Sequence, residues 1–402
     1  MRTFCKSNKL DNVLYDVRGP VLEEAERMED RGLQILKLNI GNPAPFGFTA
    51  PEEVIQDMRD NIVNSQGYSD SRGIFAARKA VMQYAQLKNI PNVTMKDVFT
   101  GNGASELIQM SLNALLNSGD EVLIPSPDYP LWTACTNLAG GKAVHYICDE
   151  QSDWNPDLKD IESKVTAKTK AIVVINPNNP TGAMYSREIL LAIADLARKH
   201  HLLLLADEIY DRLVMNGGEC DAMGALAPDV PCVSFNGLSK SHIICGFRCG
   251  WMVFSGPELE EIKNGVMQLA SMRLCGNALT QLVIPAALED SQSTKAMMVP
   301  GGRLYDQSKA CVEGLNRIPG VSVLPNKAAF YIFPSIDREM YAFQDDQDFA
   351  MQFLHEKKVL VIPGRGFDWH EDLRFRIVML PKPEVISKAM ADLGDFLEGH
   401  RR

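Results

Sequence analysis

The sequence predicts an α/β fold in two parts: a large domain built on a mostly parallel sheet covered by helices, and a smaller α+β domain after it. Three observations carry this expectation. The chain has 402 residues, more than one hydrophobic core usually organises. Up to about residue 290, short continuous apolar runs alternate with helical stretches, the pattern of parallel strands buried on both faces. Beyond that point the apolar runs more often alternate with polar residues, and a final helix closes the chain. Residues 1–45 read as an N-terminal arm that contributes to the small domain, 46–290 as the large domain, and 291–402 as the small C-terminal domain.

Taken in order, the arm ends an apolar run at Gly41-Asn-Pro43. A helix is expected over Leu107–Leu116, just after Gly101-Asn-Gly-Ala-Ser-Glu106, followed by a buried strand at Glu121-Val-Leu-Ile-Pro125. Next come a strand at Lys170–Ile175, a helix at Ser186–His200, and strands at Leu202–Ala206 and Cys232–Phe235. In the small domain, Gly320–Leu324, Ala329–Phe333, Val359–Ile362 and Phe375–Val378 are the strand candidates. Ligands of such sheets bind beyond the carboxyl ends of the strands. Three of these ends run directly into polar residues: Asn176 to Gly182, Asp207 to Tyr210, and Asn236 to Lys240.

Composition narrows the function classes. With 46% hydrophobic and 23% charged residues, the chain is expected to fold throughout. A net charge of -10 disfavours nucleic acid as a partner. The nine cysteines are odd in number and form no CxxC pair; Cys245 and Cys249 have no His or Cys set to complete a metal site, so free thiols and no metal are expected. No apolar run is long enough for a secretory signal or a membrane span, which points to the cytoplasm and no membrane partner.

Four groups of residues carry chemistry. Lys240 follows a strand and can form an imine with an aldehyde. Arg248, eight residues on in Gly246-Phe-Arg-Cys-Gly250, suits a phosphate, and Gly246 and Gly250 would allow close backbone approach. Asp207, after four leucines, is the partner that a pyridinium nitrogen needs if the ring is to accept electrons, with Tyr210 in reach of a ring hydroxyl; the plainer reading makes Asp207 a helix cap. Asn176-Pro-Asn-Asn-Pro-Thr-Gly182 is a specific turn in which Asn179 could donate to a phenolate oxygen, and its X-Pro bonds are candidates for the cis isomer. Gly101–Glu106 opens a helix whose free N–H groups favour an anion, a phosphate cup or an ordinary helix start. It lacks the third glycine of a dinucleotide fingerprint and shows no long strand before it, which argues against a nicotinamide dehydrogenase.

With GNGASE, PDYPLW, NPNNPTG, ADEIY, SK followed by GFRCGW, and FRIV in this order, the sequence resembles the fold-type I, class I/II pyridoxal-phosphate aminotransferases over nearly its whole length. It is most similar to the bacterial glutamate-pyruvate (alanine) aminotransferases, through Tyr15–Pro20, Leu38–Phe48, Pro127–Trp132 and Asn236–Lys240. The resemblance implies pyridoxal 5′-phosphate as cofactor and Lys240 as the imine lysine and proton shuttle. Asp207 would face the ring nitrogen, Tyr210 and Asn179 the ring oxygen, and Tyr129 would stack on the ring. Gly103, Ala104, Ser105, Ser239 and Arg248 would hold the phosphate. Tyr68 would reach the phosphate of a neighbouring subunit, implying a homodimer with shared sites. Arg376, with Gly41 and Asn179, would hold the substrate α-carboxylate. Arg374 competes with Arg376, whose spacing to the strand end fits better. For the distal carboxylate of glutamate, Arg18 beside Tyr15 is the candidate. The implied reaction is ping-pong transfer between alanine and 2-oxoglutarate. Transfer from aspartate, aromatic or branched amino acids, or C–S β-lysis, are the alternatives within the fold, and a cofactor-binding transcription regulator lacks its basic winged-helix segment.

Overall fold

The computed structural model describes residues 4–11, 13, 19–290 and 292–402. Its centre is an eight-stranded sheet in the order Val98–Asn102, Cys249–Ser255, Cys232–Gly237, Leu203–Asp207, Thr169–Ile175, Glu121–Ser126, Lys142–Asp149 and Asn155–Pro156. Cys249–Ser255 and the short Asn155–Pro156 run antiparallel to their neighbours; the strands between them are parallel.

The continuous apolar runs split by parity, because successive side chains of a strand point to opposite faces. Ala171, Val173, Ile175, Leu203 and Leu205 pack with Leu107, Ile108, Leu112, Val266 and Ala270. Ile172, Val174, Leu204 and Ala206 pack on the other face with Leu190, Ile193, Ala194 and Ala197. The second set belongs to the helix Arg187–His200, which Ser186 caps by accepting from the Ile189 N–H at 3.3 Å and which ends at His201 in the left-handed region.

Four strands of this sheet were not expected from the sequence: Val98–Asn102, Lys142–Asp149, Asn155–Pro156 and Cys249–Ser255. The first corrects the reading of GNGASE, since a strand does run directly into it, and the helix begins at Ala104 rather than Leu107. The strand Cys232–Gly237 also runs two residues further than expected, so that Lys240 sits in the short helix Leu238–Ser241.

A separate core joins the two ends of the chain. Val21, Ala25, Met28 and Leu38 pack with Leu315, Phe349, Phe353, Phe375, Ile377 and Phe396, and Leu36–Lys37 pairs in parallel with Val359–Leu360. The strands here are two to four residues long, and Phe375–Val378 is buried at every position rather than alternating. Phe375–Val378 lies between Tyr331–Ile332 and Ile362–Pro363, both antiparallel to it. That arrangement carries Tyr331, Ile362 and Arg376 to the carboxyl ends of the large sheet.

Candidate active site

At those carboxyl ends lies a cleft of about 250 Å3 lined by residues of the large sheet's strand ends together with Gly41, Tyr331, Ile362 and Arg376. Its floor is Asp207, paired across the sheet with Ile175 and Phe235. No helix follows Asp207, so the capping role fails; the chain turns instead, with the Asp211 N–H donating to the Glu208 carbonyl at 3.0 Å. Asp207 Oδ1 accepts from the Ile209 N–H at 3.3 Å, and Oδ2 accepts from the indole N–H of Trp132 at 3.0 Å. Trp132 is itself fully buried, edge-on to Phe235 at 5.3 Å. Burial outweighs these two donors and pushes the Asp207 carboxyl up to about 6. A carboxylate has room for further donors; a cation placed against Asp207 in the cleft would restore its charge.

Lys240 enters from the short helix after Cys232–Gly237, and its Nζ donates to the Gly41 carbonyl at 2.9 Å. Ser239 lines the cleft beside it.

One end of the cleft is built for an anion. The strand Val98–Asn102 runs into Gly103, at φ +83°, and then into the helix Ala104–Leu115, whose first residues Ala104 and Ser105 line the cleft. Arg248 lies across this start, with Nη1 donating to the Cys245 carbonyl at 2.8 Å and Nη2 to the Asn102 carbonyl at 3.3 Å. Gly103 stands at φ +83°, a conformation that favours glycine, and a Cβ there would meet Arg248 Nη2 at 2.2 Å and push the guanidinium from its place. Gly250 has the expected tight approach, a Cβ there falling 2.4 Å from the Ala104 nitrogen. Gly246 does not: no atom lies within 4 Å of the same construction, because its segment stands at the surface.

The other wall is Arg376. Its Nη1 donates to Asn179 Oδ1 at 2.8 Å, and its Nη2 donates to the Asn39 carbonyl. The guanidinium lies over the rings of Tyr331 and Phe367, 4.6 and 4.7 Å from their centroids. Arg374, the competing candidate, points elsewhere: it pairs with Glu150 at 2.6 Å and Asp372 at 2.7 Å and packs on Trp154. Two residues of separation would keep both on one face of an ideal strand; two acidic partners and an aromatic box claim Arg374 away from the cleft. The Asn176–Pro177 and Asn179–Pro180 bonds are both cis. Tyr210, buried, bonds Tyr331 hydroxyl to hydroxyl at 2.9 Å, and Gly41 and Tyr129 complete the lining.

Tyr68 is not part of this cleft; it is 85% exposed. Tyr15 and Arg18 lie outside the described residues. Sequence reasoning overlooked Trp132, Tyr331, Asn39, Ile362 and Cys245, all in or against the cleft. Trp132 stood inside a quoted motif, which was its only signal. Among the described residues, Asp128, His145 and Asp368 bring three donor atoms within 4.8 Å of one another. The group is tied together by the Thr133 hydroxyl, 2.8 Å from Asp128 Oδ2 and 2.9 Å from His145 Nε2.

The profile of the family described as Aminotransferase class I and II matches residues 34–393. The glutamate-pyruvate aminotransferase AlaA of Escherichia coli (strain K12) is 50% identical over 399 residues, spanning 99% of this chain and 98% of that protein. A crystal structure of an aminotransferase from Escherichia coli superposes with a TM-score of 0.98 at 50% identity, over the whole of both chains. An alanine aminotransferase from Pyrococcus furiosus superposes with a TM-score of 0.94 at 36% identity, covering 98% of this chain and all of that one.

Proposed function

Since this chain belongs to the class I and II aminotransferases, we propose that it transfers the amino group of L-alanine to 2-oxoglutarate, giving pyruvate and L-glutamate, with pyridoxal 5′-phosphate held on Lys240. The observation that carries the reading is the convergence of Lys240, Asp207, Arg248 and Arg376 on one cleft. Alanine and glutamate come from the names of the full-length relatives.

The residues fit the cofactor. The Gly103 and Arg248 end suits its phosphate, and the buried, under-donated carboxylate of Asp207 suits a ring cation. Bound there, pyridoxal phosphate supplies an aldehyde for imine exchange and a ring that accepts the electron pair left when Cα loses its proton. Lys240, which would hold the cofactor, would also be the base that takes the Cα proton. Asp207 would hold positive charge at the ring nitrogen. Tyr210 and the Asn179 amide N–H would donate to a ring oxygen, and Tyr129 would cover the ring face. Arg376 clamps the α-carboxylate as a planar fork, its plane set by Asn179, Asn39 and the two aromatic rings. The two half-reactions share one site, so initial-rate plots of alanine against 2-oxoglutarate give parallel lines; intersecting lines contradict the mechanism.

Glutamate needs a second cation for its distal carboxylate. Among the described residues lining the cleft, only Lys240, Arg248 and Arg376 are cationic, and each already has a role. Arg18 of the arm is assigned this task. Arg18→Ala is expected to raise KM for 2-oxoglutarate at least about 10-fold while leaving KM for alanine within about twofold; equal effects on both would remove the assignment.

Tyr68, with Ile62, Val63, Phe75, Met272 and Leu274, leaves apolar surface exposed on two neighbouring segments joined by the bond from Ser71 Oγ to the Leu274 carbonyl. This supports a homodimer in which Tyr68 serves the partner's phosphate. A sedimentation mass of a single chain would contradict it.

A further inference from the structure

Tyr331, one of the two rings that set the plane of Arg376, also meets a residue on the cofactor side of the cleft. It comes from the short C-terminal sheet, where it pairs with Val378, and it is 2% exposed. Its hydroxyl is 2.9 Å from that of Tyr210, which belongs to the turn after Asp207. Its ring lies beneath the Arg376 guanidinium at 4.6 Å. It also explains Gly41: a Cβ there would fall 2.2 Å from the Tyr331 hydroxyl, while the Gly41 carbonyl receives Lys240 Nζ. Ring and hydroxyl thus face different partners.

We propose that Tyr331 is a dual positioning residue, whose hydroxyl strengthens Tyr210 as a donor to the cofactor's ring oxygen and whose ring holds Arg376 in register for the substrate carboxylate. The proposal rests on the cofactor reading above. A hydroxyl both donates and accepts. When a negative oxygen occupies the cleft, Tyr210 turns its hydrogen toward it and accepts from Tyr331, and a donor that is itself accepting a hydrogen bond is polarised into a stronger one. Burial keeps the Tyr210 phenol protonated and so able to donate. The ring contributes separately. A buried guanidinium held by two bonds on its edge and two aromatic faces has little freedom to tilt.

Two variants separate the halves. Stronger donation to the ring oxygen favours loss of the proton from the Lys240 imine, so weakening it raises the pH midpoint at which the visible band of the loaded protein changes. Tyr331→Phe, which keeps the ring, is expected to raise that midpoint by up to about one pH unit and to leave the affinity for 2-methylalanine, an amino acid without a Cα proton, within about twofold. Tyr331→Leu, which removes both groups, raises the midpoint similarly and weakens 2-methylalanine binding about 3- to 10-fold. An unchanged midpoint in Tyr331→Phe overturns the hydroxyl's role. Equal losses of 2-methylalanine affinity in both variants overturn the ring's role. Wild-type protein with no visible band after addition of pyridoxal phosphate defeats instead the cofactor reading on which the proposal rests.

Discussion

Lys240→Ala lowers kcat for alanine–2-oxoglutarate transfer by at least about 10³-fold, the largest effect expected of any single side chain here. The Nζ performs two tasks that no neighbour can take over: it holds the cofactor between turnovers and moves the proton at Cα. Arg248 and Arg376, the other cations lining the cleft, are guanidiniums, which offer only N–H donors and no free amine. The fold does not depend on the amine. Its bond is to the Gly41 carbonyl at 2.9 Å, and Lys240 is only part-buried, so the variant melts within a few degrees of the wild type. Steady-state rates together with a thermal melt check this; a variant with normal melting that retains more than a tenth of the activity would contradict the assignment.

Asp207→Asn is expected to lower kcat by about 10²- to 10³-fold with a smaller change in KM for alanine, because the amide cannot neutralise a ring cation. The same substitution has a signature without cofactor. Burial raises the Asp207 carboxyl from 3.8 to about 6 in the folded chain, so folding favours its neutral form. A raised pKa gives stability that is fully present below about pH 4 and is lost as pH climbs through 6. Asparagine has no such proton. The stability of cofactor-free wild type relative to Asp207→Asn therefore falls as pH rises from about 4 to about 6, by no more than about 3 kcal/mol. Denaturant midpoints of the two proteins across that range test the sign, and a constant difference would show that the carboxyl is not held neutral by burial.

How much of this was legible in the sequence depends on how far apart the partners lie along the chain. Lys240, Asp207, Arg248 and the Gly101–Glu106 start stand within local patterns, a strand end followed by a polar turn, and the fold places each of them in the cleft. The parallel strands at 121–126, 169–175, 203–207 and 232–237 were readable because burial on both faces demands continuous apolar runs. Lys142–Asp149 interrupts its apolar residues with His145 and ends on Asp149, while Val98–Asn102 includes Thr100 and Gly101, so neither reads as such a run. The segment at Cys249–Ser255 had been read only for its phosphate chemistry, although Trp251-Met-Val-Phe254 is a continuous apolar stretch. Contacts between distant segments left no mark. Trp132 meets Asp207 across 75 residues, Tyr331 meets Tyr210 across 121, and Asn39 meets Arg376 across 337. Only the tertiary fold brings these pairs together. The same limit bears on Arg374 and Arg376: spacing to the strand end favoured Arg376, and the physical reason, Glu150, Asp372 and Trp154 claiming Arg374, lies in distant segments.

The most direct test of the central claim is to treat the purified protein with borohydride, map the modified residue by peptide mass, and assay the untreated protein for pyruvate from L-alanine and 2-oxoglutarate. The account predicts a visible band that borohydride abolishes, a pyridoxyl group on Lys240 alone, and pyruvate formed in step with glutamate. A modified residue other than Lys240, or a reduced band in a protein that makes no pyruvate, would contradict it.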